Sequence, residues 1–457
     1  MKIFKAIYWI RNNIKNFLYT HFHTFIILFR NIKNSLLFTD LLIKKKLLFI
    51  NPKNFQKNNI DNDYKKEKKI VIVIGSLTRG GAERQVLKLA EYLLIKRIKV
   101  KIFSIENKKK KSQTFSIPKN IHVDYIKIKK FNFISAVDRK FFDSLNKLNF
   151  FSKYEKEKSL ALYNYLKNEK PDVVHAFLDF NCIISGYVSQ YLNIRRIILS
   201  TRNVSPNHFL LWRPYFKEFY KSFLKFNNIT LVNNSKAGAK SYEKWLGIKK
   251  NSIKIIYNIF DFNKRIKFKK IHFKKKLNSI NFGSLIRLDP EKNPEYLLKL
   301  ANNLIKQNSN YYFYILGNGI LQNKIKKYIK RKKLAKNIKL LGIKDNIYDY
   351  LKFFDFTLLT SKQEGTPNVL LESQRVGTRV ITTDSGGSKE SFIKKYSGFL
   401  IGGKSTVEDC KIINNIVSNN SKLKKLDLKI IKKKLRKFSP SHAVRQVLNL
   451  YKSKHYY

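Results

Sequence analysis

Three stretches of the 457-residue chain carry residue types and spacings suited to chemistry. The first is Gly75-Ser76-Leu77-Thr78-Arg79-Gly80-Gly81-Ala82-Glu83-Arg84. Gly80 and Gly81 let backbone amides come close to a ligand, and a helix starting behind them favours an anion. The spacing is not Gly-x-Gly-x-x-Gly, so the dinucleotide fingerprint is absent. A plain strand–helix turn is the competing reading of this pair. The second stretch runs from Gly283 through Arg287 to Lys292. Both cations stand in a loop where a phosphate would lie. A diphosphate leaving a sugar gains negative charge, and two preorganised cations would stabilise it. Two solvated cations in a cation-rich chain are the alternative.

The third stretch is Gln363-Glu364-Gly365-Thr366-Pro367-Asn368, followed by Val369 to Ser373 with Glu372 among them. Pro367 suits the first turn of a helix. Glu364 then falls in the preceding loop, amides around Gly365 to Asn368 point outward, and Glu372 lies one to two turns along the helix. Two carboxylates so placed would hold sugar hydroxyls at one end and ribose hydroxyls at the other. Acids that merely favour a helix N-terminus are the competing reading. That reading leaves Glu372 and the Gly-Thr-Pro unexplained.

The elements that position these stretches read as alternating strands and helices. Lys69–Gly75 is a continuous apolar run ending at glycine, as a buried parallel strand would be. Helical spacing follows over Ala82–Ile95. Further apolar runs recur at Val100–Phe103, Val123–Ile126, Val173–Phe177, Ile197–Leu199, Thr230–Val232 and Ile253–Tyr257. A second series occupies Asn281–Leu285, Tyr312–Leu316, Ile338–Leu341, Phe356–Leu359, Val380–Thr383 and Gly398–Ile401. This alternation means α/β with parallel sheets, whose ligands sit at the carboxyl ends of the strands. The expected division is an extension and linker over 1–66, a first Rossmann-like domain over 67–262, a linker over 263–277, a second Rossmann-like domain over 278–435, and a C-terminal helix over 436–457 returning to the first domain.

The extension holds nine Lys and two Arg against one Asp in residues 1–60. Its apolar run Phe17–Phe29 falls short of the ~20 residues a spanning helix needs. No small-residue cleavage site follows, which speaks against a signal peptide. A basic amphipathic helix lying on an anionic bilayer fits this pattern, with a helix packed on the first domain as the alternative. Over the whole chain 94 Lys and Arg against 31 Asp and Glu leave a net charge of +63. Lys, Asn and Ile are abundant throughout, as an AT-rich coding sequence would produce, so the charge alone assigns no partner. Cys182 and Cys410 form no Cys-x-x-Cys, which points to a reducing compartment without a disulfide framework or zinc site. Asp61-Asn62-Asp63 is the only Asp-x-Asp and lies in the polar linker. With Arg287 and Lys292 supplying the charge that Mg²⁺ would bring to a diphosphate, the chemistry is expected to need no metal.

Taken in order, Gly80-Gly81-Ala82-Glu83-Arg84, Arg287 with Lys292, and Glu364-x7-Glu372 resemble the family 4 glycosyltransferases, retaining enzymes of the GT-B fold. The resemblance covers roughly residues 68 to 457. It implies two Rossmann-like domains facing a cleft. It implies that Arg287 and Lys292 contact the donor diphosphate, Glu364 the donor sugar and Glu372 the ribose. Gly80, Gly81, Gly283, Gly365, Thr366, Pro367 and Asn368 are then donor-binding, and Arg202 and Asn203 lie on the acceptor side. His175, after Pro171-Asp172-Val173-Val174, resembles a cleft histidine and joins the catalytic set; a buried strand histidine is the alternative. Two positions depart from the family: Ile259 follows Tyr257-Asn258, and Ile286 precedes Arg287, where the family has glycine.

The implied function is retaining transfer of a hexose or N-acetylhexosamine, with a UDP-sugar as the expected nucleotide sugar. The acceptor is a glycan or lipid-linked glycan of cell-surface polysaccharide, lipopolysaccharide or glycoprotein assembly. No cofactor beyond the donor is implied. The expected location is cytoplasmic, peripheral at the inner face of the membrane. A nucleotide-sugar 2-epimerase on the same fold is the rival enzyme. A basic nucleic-acid-binding protein is the rival of another class, and no RNA- or DNA-binding motif supports it.

Overall fold

The computed structural model describes residues 68–452, apart from 79, 109–114, 129–134, 207–211, 270, 272 and 420–424. The expected amphipathic extension and Asp61-Asn62-Asp63 lie outside the described residues. The described chain forms two compact units, divided between Ile259 and Phe260, with Pro440 and the residues after it belonging to the first.

The first unit contains β1 (Ile70–Ile74), α1 (Gly81–Ile95), β2 (Val100–Ser104), β3 (His122–Tyr125), α2 (Ala136–Lys147), α3 (Lys153–Glu169), β4 (Val173–Phe177), α4 (Asp179–Tyr191), β5 (Arg196–Thr201), α5 (Tyr215–Phe223), β6 (Ile229–Asn233), α6 (Lys236–Leu246) and β7 (Lys254–Ile255). Its strands pair in parallel in the order β3-β2-β1-β4-β5-β6-β7. Every residue of β1, β4, β5 and β6 is buried, which explains their unbroken apolar character: helices cover both faces of a parallel sheet. Ser135 with Asp138 and Ser152 with Glu155 make reciprocal capping boxes that start α2 and α3. On one face Phe141, Tyr163, Tyr187, Phe219 and Phe223 fill the core. The edge strand β7 is shorter than the run Ile253–Tyr257, because only Lys254 and Ile255 find partners, on Val232 and Asn233.

The second unit contains β8 (Ile280–Leu285), α7 (Pro294–Gln307), β9 (Tyr311–Leu316), α8 (Gln322–Arg331), β10 (Ile338–Gly342), α9 (Ile347–Phe353), β11 (Phe356–Leu359), α10 (Asn368–Arg375), β12 (Arg379–Thr383), β13 (Gly398–Ile401), α11 (Thr406–Ser418) and α12 (Leu428–Lys434). Its parallel order is β10-β9-β8-β11-β12-β13. The described residues of 263–277, before β8, hold no helix or strand. The last helix, α13 (Pro440–Lys452), packs Ala443, Val444, Val447 and Tyr451 into the first unit, in one cluster with Val86, Leu89 and Ala90 of α1.

Strand order reverses between β1 and β4 in one sheet and between β8 and β11 in the other. Adjacent loops leave the sheet in opposite directions there and open a crevice at the carboxyl ends. No helix among the described residues is long and apolar enough to cross a membrane.

Candidate active site

In the second unit the loops after β8 and β11 lie side by side and are tied together through the backbone. After β8 the chain runs through Arg287 into a 3-10 turn, Pro290–Lys292. Asn293 then adopts a left-handed conformation, φ 53°, which Asn tolerates, and Pro294 opens α7. After β11, Thr360 Oγ1 donates to the Asn293 carbonyl at 3.3 Å and the Lys362 amide donates to the Glu291 carbonyl at 2.9 Å. From β12, Thr383 Oγ1 donates to the Ser361 carbonyl at 2.6 Å. The Glu364 amide donates to the Ser385 carbonyl at 2.6 Å, and the Gly387 amide to the Glu364 carbonyl at 3.0 Å.

These ties bring two residues singled out from sequence together. Lys292 Nζ donates to Glu364 Oε1 at 2.6 Å, and Ser361 Oγ donates to the same oxygen at 2.8 Å. Glu364 is 8% exposed and Glu372, on α10, 4%. An ion pair this sheltered is screened far less than one on the surface. Gly365, Thr366 and Pro367 are buried between the two acids. Pro367 is the N-cap of α10 and stands one residue before the first turn. It caps α10 with no side-chain hydrogen bond.

Arg287 is elsewhere. Its side chain is 59% exposed and pairs with Asp289 at 2.9 Å and Glu291 at 2.8 Å on its own loop. Gly283 lies inside β8, not in the loop after it. A Cβ there would stand 1.9 Å from the Phe354 ring, so the missing side chain admits an aromatic ring and not a phosphate. Ile286 is accommodated by burying its side chain in the core while its amide extends the pairing to the Leu316 carbonyl at 3.0 Å.

Some residues of this site escaped the sequence reading. Ser361 is one. Ser385 Oγ and Gln363 Oε1 are buried near Glu364 without a hydrogen-bond partner among the described residues. The Gly317-Asn318-Gly319 loop after β9 is another. Gly317 has φ 124°, and a Cβ on it would lie 2.0 Å from the Ile286 carbonyl oxygen, so glycine is required for the two loops to meet. The signal was present as Gly-x-Gly directly after an apolar run.

The first unit is finished differently. His175 on β4 is 2% exposed, with Nδ1 2.7 Å from the Tyr451 hydroxyl and Nε2 2.7 Å from Ser200 Oγ. Phe177 stacks on it at 4.5 Å. Burial, and then the Arg202 charge, hold its pKa down at about 3, so the ring is neutral. The expectation of a catalytic histidine is corrected: both ring nitrogens are engaged inside the protein, and the residue joins β4, β5 and α13. Arg202 is half-buried, donates to Asn258 Oδ1 and lies 5.4 Å from the Phe177 ring. Asn203 accepts from the Val204 amide at 2.9 Å through its side chain and from Asn233 Nδ2 at 2.8 Å through its carbonyl. Gly80 is the N-cap of α1, and a Cβ there would lie 2.1 Å from Glu83 Oε2; Gly81 is exposed. Ile259 replaces a glycine without a left-handed backbone. Its amide donates to Gln85 Oε1 at 2.6 Å and its carbonyl accepts from Gln85 Nε2 at 3.3 Å, so α1 holds the turn.

Comparison with known proteins places this geometry in a family. Residues 79–264 match the family described as Glycosyltransferase Family 4, and residues 264–433 match Glycosyl transferases group 1. The Vi polysaccharide biosynthesis protein VipC/TviE of Salmonella typhi is 24% identical over 269 residues, 56% of this chain and 46% of that protein. The match thus spans about half the length of that relative. An alpha-1,4-N-acetyl-D-galactosaminyltransferase of Campylobacter jejuni, named for a GalNAc-containing, undecaprenol-diphosphate-linked glycan, is 26% identical over 84% of this chain and 98% of its own. Among solved structures, Anabaena HepE in complex with UDP and glucose superposes with a TM-score of 0.65 at 18% identity, covering 84% of this chain and 100% of that one. Two adjoining family matches from residue 79 to residue 433, over two parallel α/β sheets of the GT-B fold, make this chain a member of the group 1, family 4 glycosyltransferases.

Proposed function

We propose that the protein transfers a hexose or N-acetylhexosamine, with retention of configuration, from a UDP-sugar to a glycan or lipid-linked acceptor in cell-surface polysaccharide, lipopolysaccharide or glycoprotein glycan assembly. The observation that carries this reading is the sheltered Lys292–Glu364 pair where the strand order reverses beside β8 and β11. Lys292 supplies positive charge to the donor diphosphate as the bond to the sugar breaks, and Arg287 joins it by leaving Asp289 and Glu291. Leaving-group charge grows in the transition state, so these cations act on the rate more than on affinity. Glu364 accepts from a donor-sugar hydroxyl, Glu372 from the ribose, and the backbone of Gly365, Thr366, Pro367 and Asn368 lines the donor between them. Gly80 and Gly81 contribute to donor binding, and Arg202 and Asn203 serve the acceptor side. No protein base is assigned: in a front-side transfer the leaving diphosphate takes the acceptor proton. With these two cations neutralising the diphosphate in place of a metal, the reaction is read as metal-independent.

The relatives support this reading. HepE was crystallised with UDP and glucose, and the Campylobacter relative is named for a lipid-diphosphate-linked glycan. The experiment is a screen of wild-type protein for hydrolysis and transfer across UDP-, GDP- and ADP-sugars. Turnover of a UDP-hexose or UDP-N-acetylhexosamine is expected. Turnover confined to epimerisation, or binding of oligonucleotides in place of any nucleotide sugar, overturns the reading. For the membrane, deletion of residues 1–60 releases the protein from anionic vesicles and leaves donor hydrolysis unchanged; truncated protein that still sediments with them refutes the anchor.

A further inference from the structure

Glu364 has two carboxylate oxygens, and the protein occupies one. Among the described residues both side-chain contacts fall on Oε1: Lys292 Nζ at 2.6 Å and Ser361 Oγ at 2.8 Å. A carboxylate oxygen offers about two lone-pair sites, so Oε1 is filled and Oε2 is left to accept. The two donors come from different segments, Lys292 from the loop after β8 and Ser361 from the loop after β11.

The two donors are unequal. Lys292 reaches Glu364 on a long flexible stem and has three N–H groups, so it can serve a phosphate at the same time. Ser361 is short, 1% exposed, and its carbonyl is held by Thr383 Oγ1 at 2.6 Å. Its hydroxyl therefore stays in place whatever Lys292 does when the donor arrives. We propose that Ser361 is a positioning residue for transfer, locking the Glu364 carboxylate through Oε1 so that Oε2 faces the donor-sugar hydroxyl. The proposal rests on the reading of Glu364 as the donor-sugar contact. It adds a residue that touches no substrate and acts only through Glu364.

The test is a double-mutant cycle with Ser361→Ala, Ser361→Thr, Glu364→Gln and the Ser361→Ala/Glu364→Gln pair. For a hydrogen bond to a charged group, Ser361→Ala is expected to lower kcat/KM for the sugar donor about 10–100-fold. Affinity for UDP alone stays at the wild-type value. Ser361→Thr, which keeps the hydroxyl, retains most activity. In the Glu364→Gln background, Ser361→Ala adds less than about two-fold, since neighbouring residues acting through one group are not additive. Wild-type turnover by Ser361→Ala overturns the inference and leaves the function standing. So does an undiminished loss in the Glu364→Gln background, or a parallel loss of UDP affinity. Absence of turnover by the wild type with every nucleotide sugar overturns the function itself. If Ser361→Ala melts without cooperativity, Ser361→Cys, of similar volume and weaker donor strength, replaces it in the same cycle.

Discussion

His175 lies on β4 and Glu364 in the loop after β11, and these two strands each lie just across the reversal of order in their sheets. Both residues are buried polar groups held by short hydrogen bonds to two partners. The histidine spends both ring nitrogens on Ser200 and Tyr451 and has nothing left to offer a ligand. The carboxylate stacks both donors on one oxygen and keeps the other. Polar groups in a core must be paired, so burial and pairing alone do not separate structural from functional residues. What separates these two is the carboxylate's second oxygen, which neither Lys292 nor Ser361 occupies.

That contrast breaks first at the two glutamates. Glu364→Ala and Glu372→Ala are each expected to lower kcat/KM by ~10²–10³-fold or more, as loss of a preorganised polar contact does, while both variants keep a cooperative melt. A variant with near-wild-type kcat/KM would remove that residue from the site. Arg287→Ala and Lys292→Ala should each cost ~3 kcal/mol in the barrier, about 10²-fold in kcat, with a smaller change in donor affinity. A change confined to KM contradicts the leaving-group role, and an activity abolished by EDTA would hand that role to a metal.

The histidine side of the comparison is sharpened by stability. His175→Ala leaves Tyr451 and Ser200 without their partner and is expected to cost ~2–4 kcal/mol in urea unfolding with kcat/KM nearly intact. A tenfold loss of kcat/KM without loss of stability would restore a catalytic histidine. The smallest effect is in pH. The folded pKa of His175 is depressed to about 3 from an ordinary 6.5, so only the unfolded chain takes up the proton between those values. Its contribution is complete above pH 6.5 and is lost as pH falls toward 3, at about 1.4 kcal/mol per pH unit for one proton. Urea midpoints for wild type and His175→Gln should therefore diverge at pH 7 and converge toward pH 5. Parallel curves would mean that the ring titrates in the folded state.

The strands were legible because parallel sheets demand continuous apolar runs, and Val173–Phe177, Phe356–Leu359 and Gly398–Ile401 appear with the same bounds in sequence and structure. Lys292 and Glu364 were legible as types, and their contact follows from two adjacent strands. Three things were not legible. Gly283 looked like part of a phosphate loop, and only the position of Phe354 shows that its space is taken. His175 looked available because its partner Tyr451 lies 276 residues away, on a helix with no local link to β4. Ser361 carried no signal, since a serine in a loop after a strand is ordinary until a carboxylate is found 2.8 Å from its hydroxyl. Ile259 and Ile286 were read as disturbances of glycine turns, yet neither takes a left-handed backbone.

The placement of Tyr451 has a consequence for how the chain is made. The first unit needs α13 to cover part of its core, yet a ribosome delivers α13 only after the whole of Phe260–Ser439. At ~5–20 residues per second, about 180 residues take roughly 10–40 s to synthesise. Through that interval β4 and α1 wait with the surface that Val444, Val447 and Tyr451 will occupy still uncovered. The described part of the second unit, Phe260–Ser439, is one continuous run of chain. The half of the protein that is translated first is thus the half that is completed last.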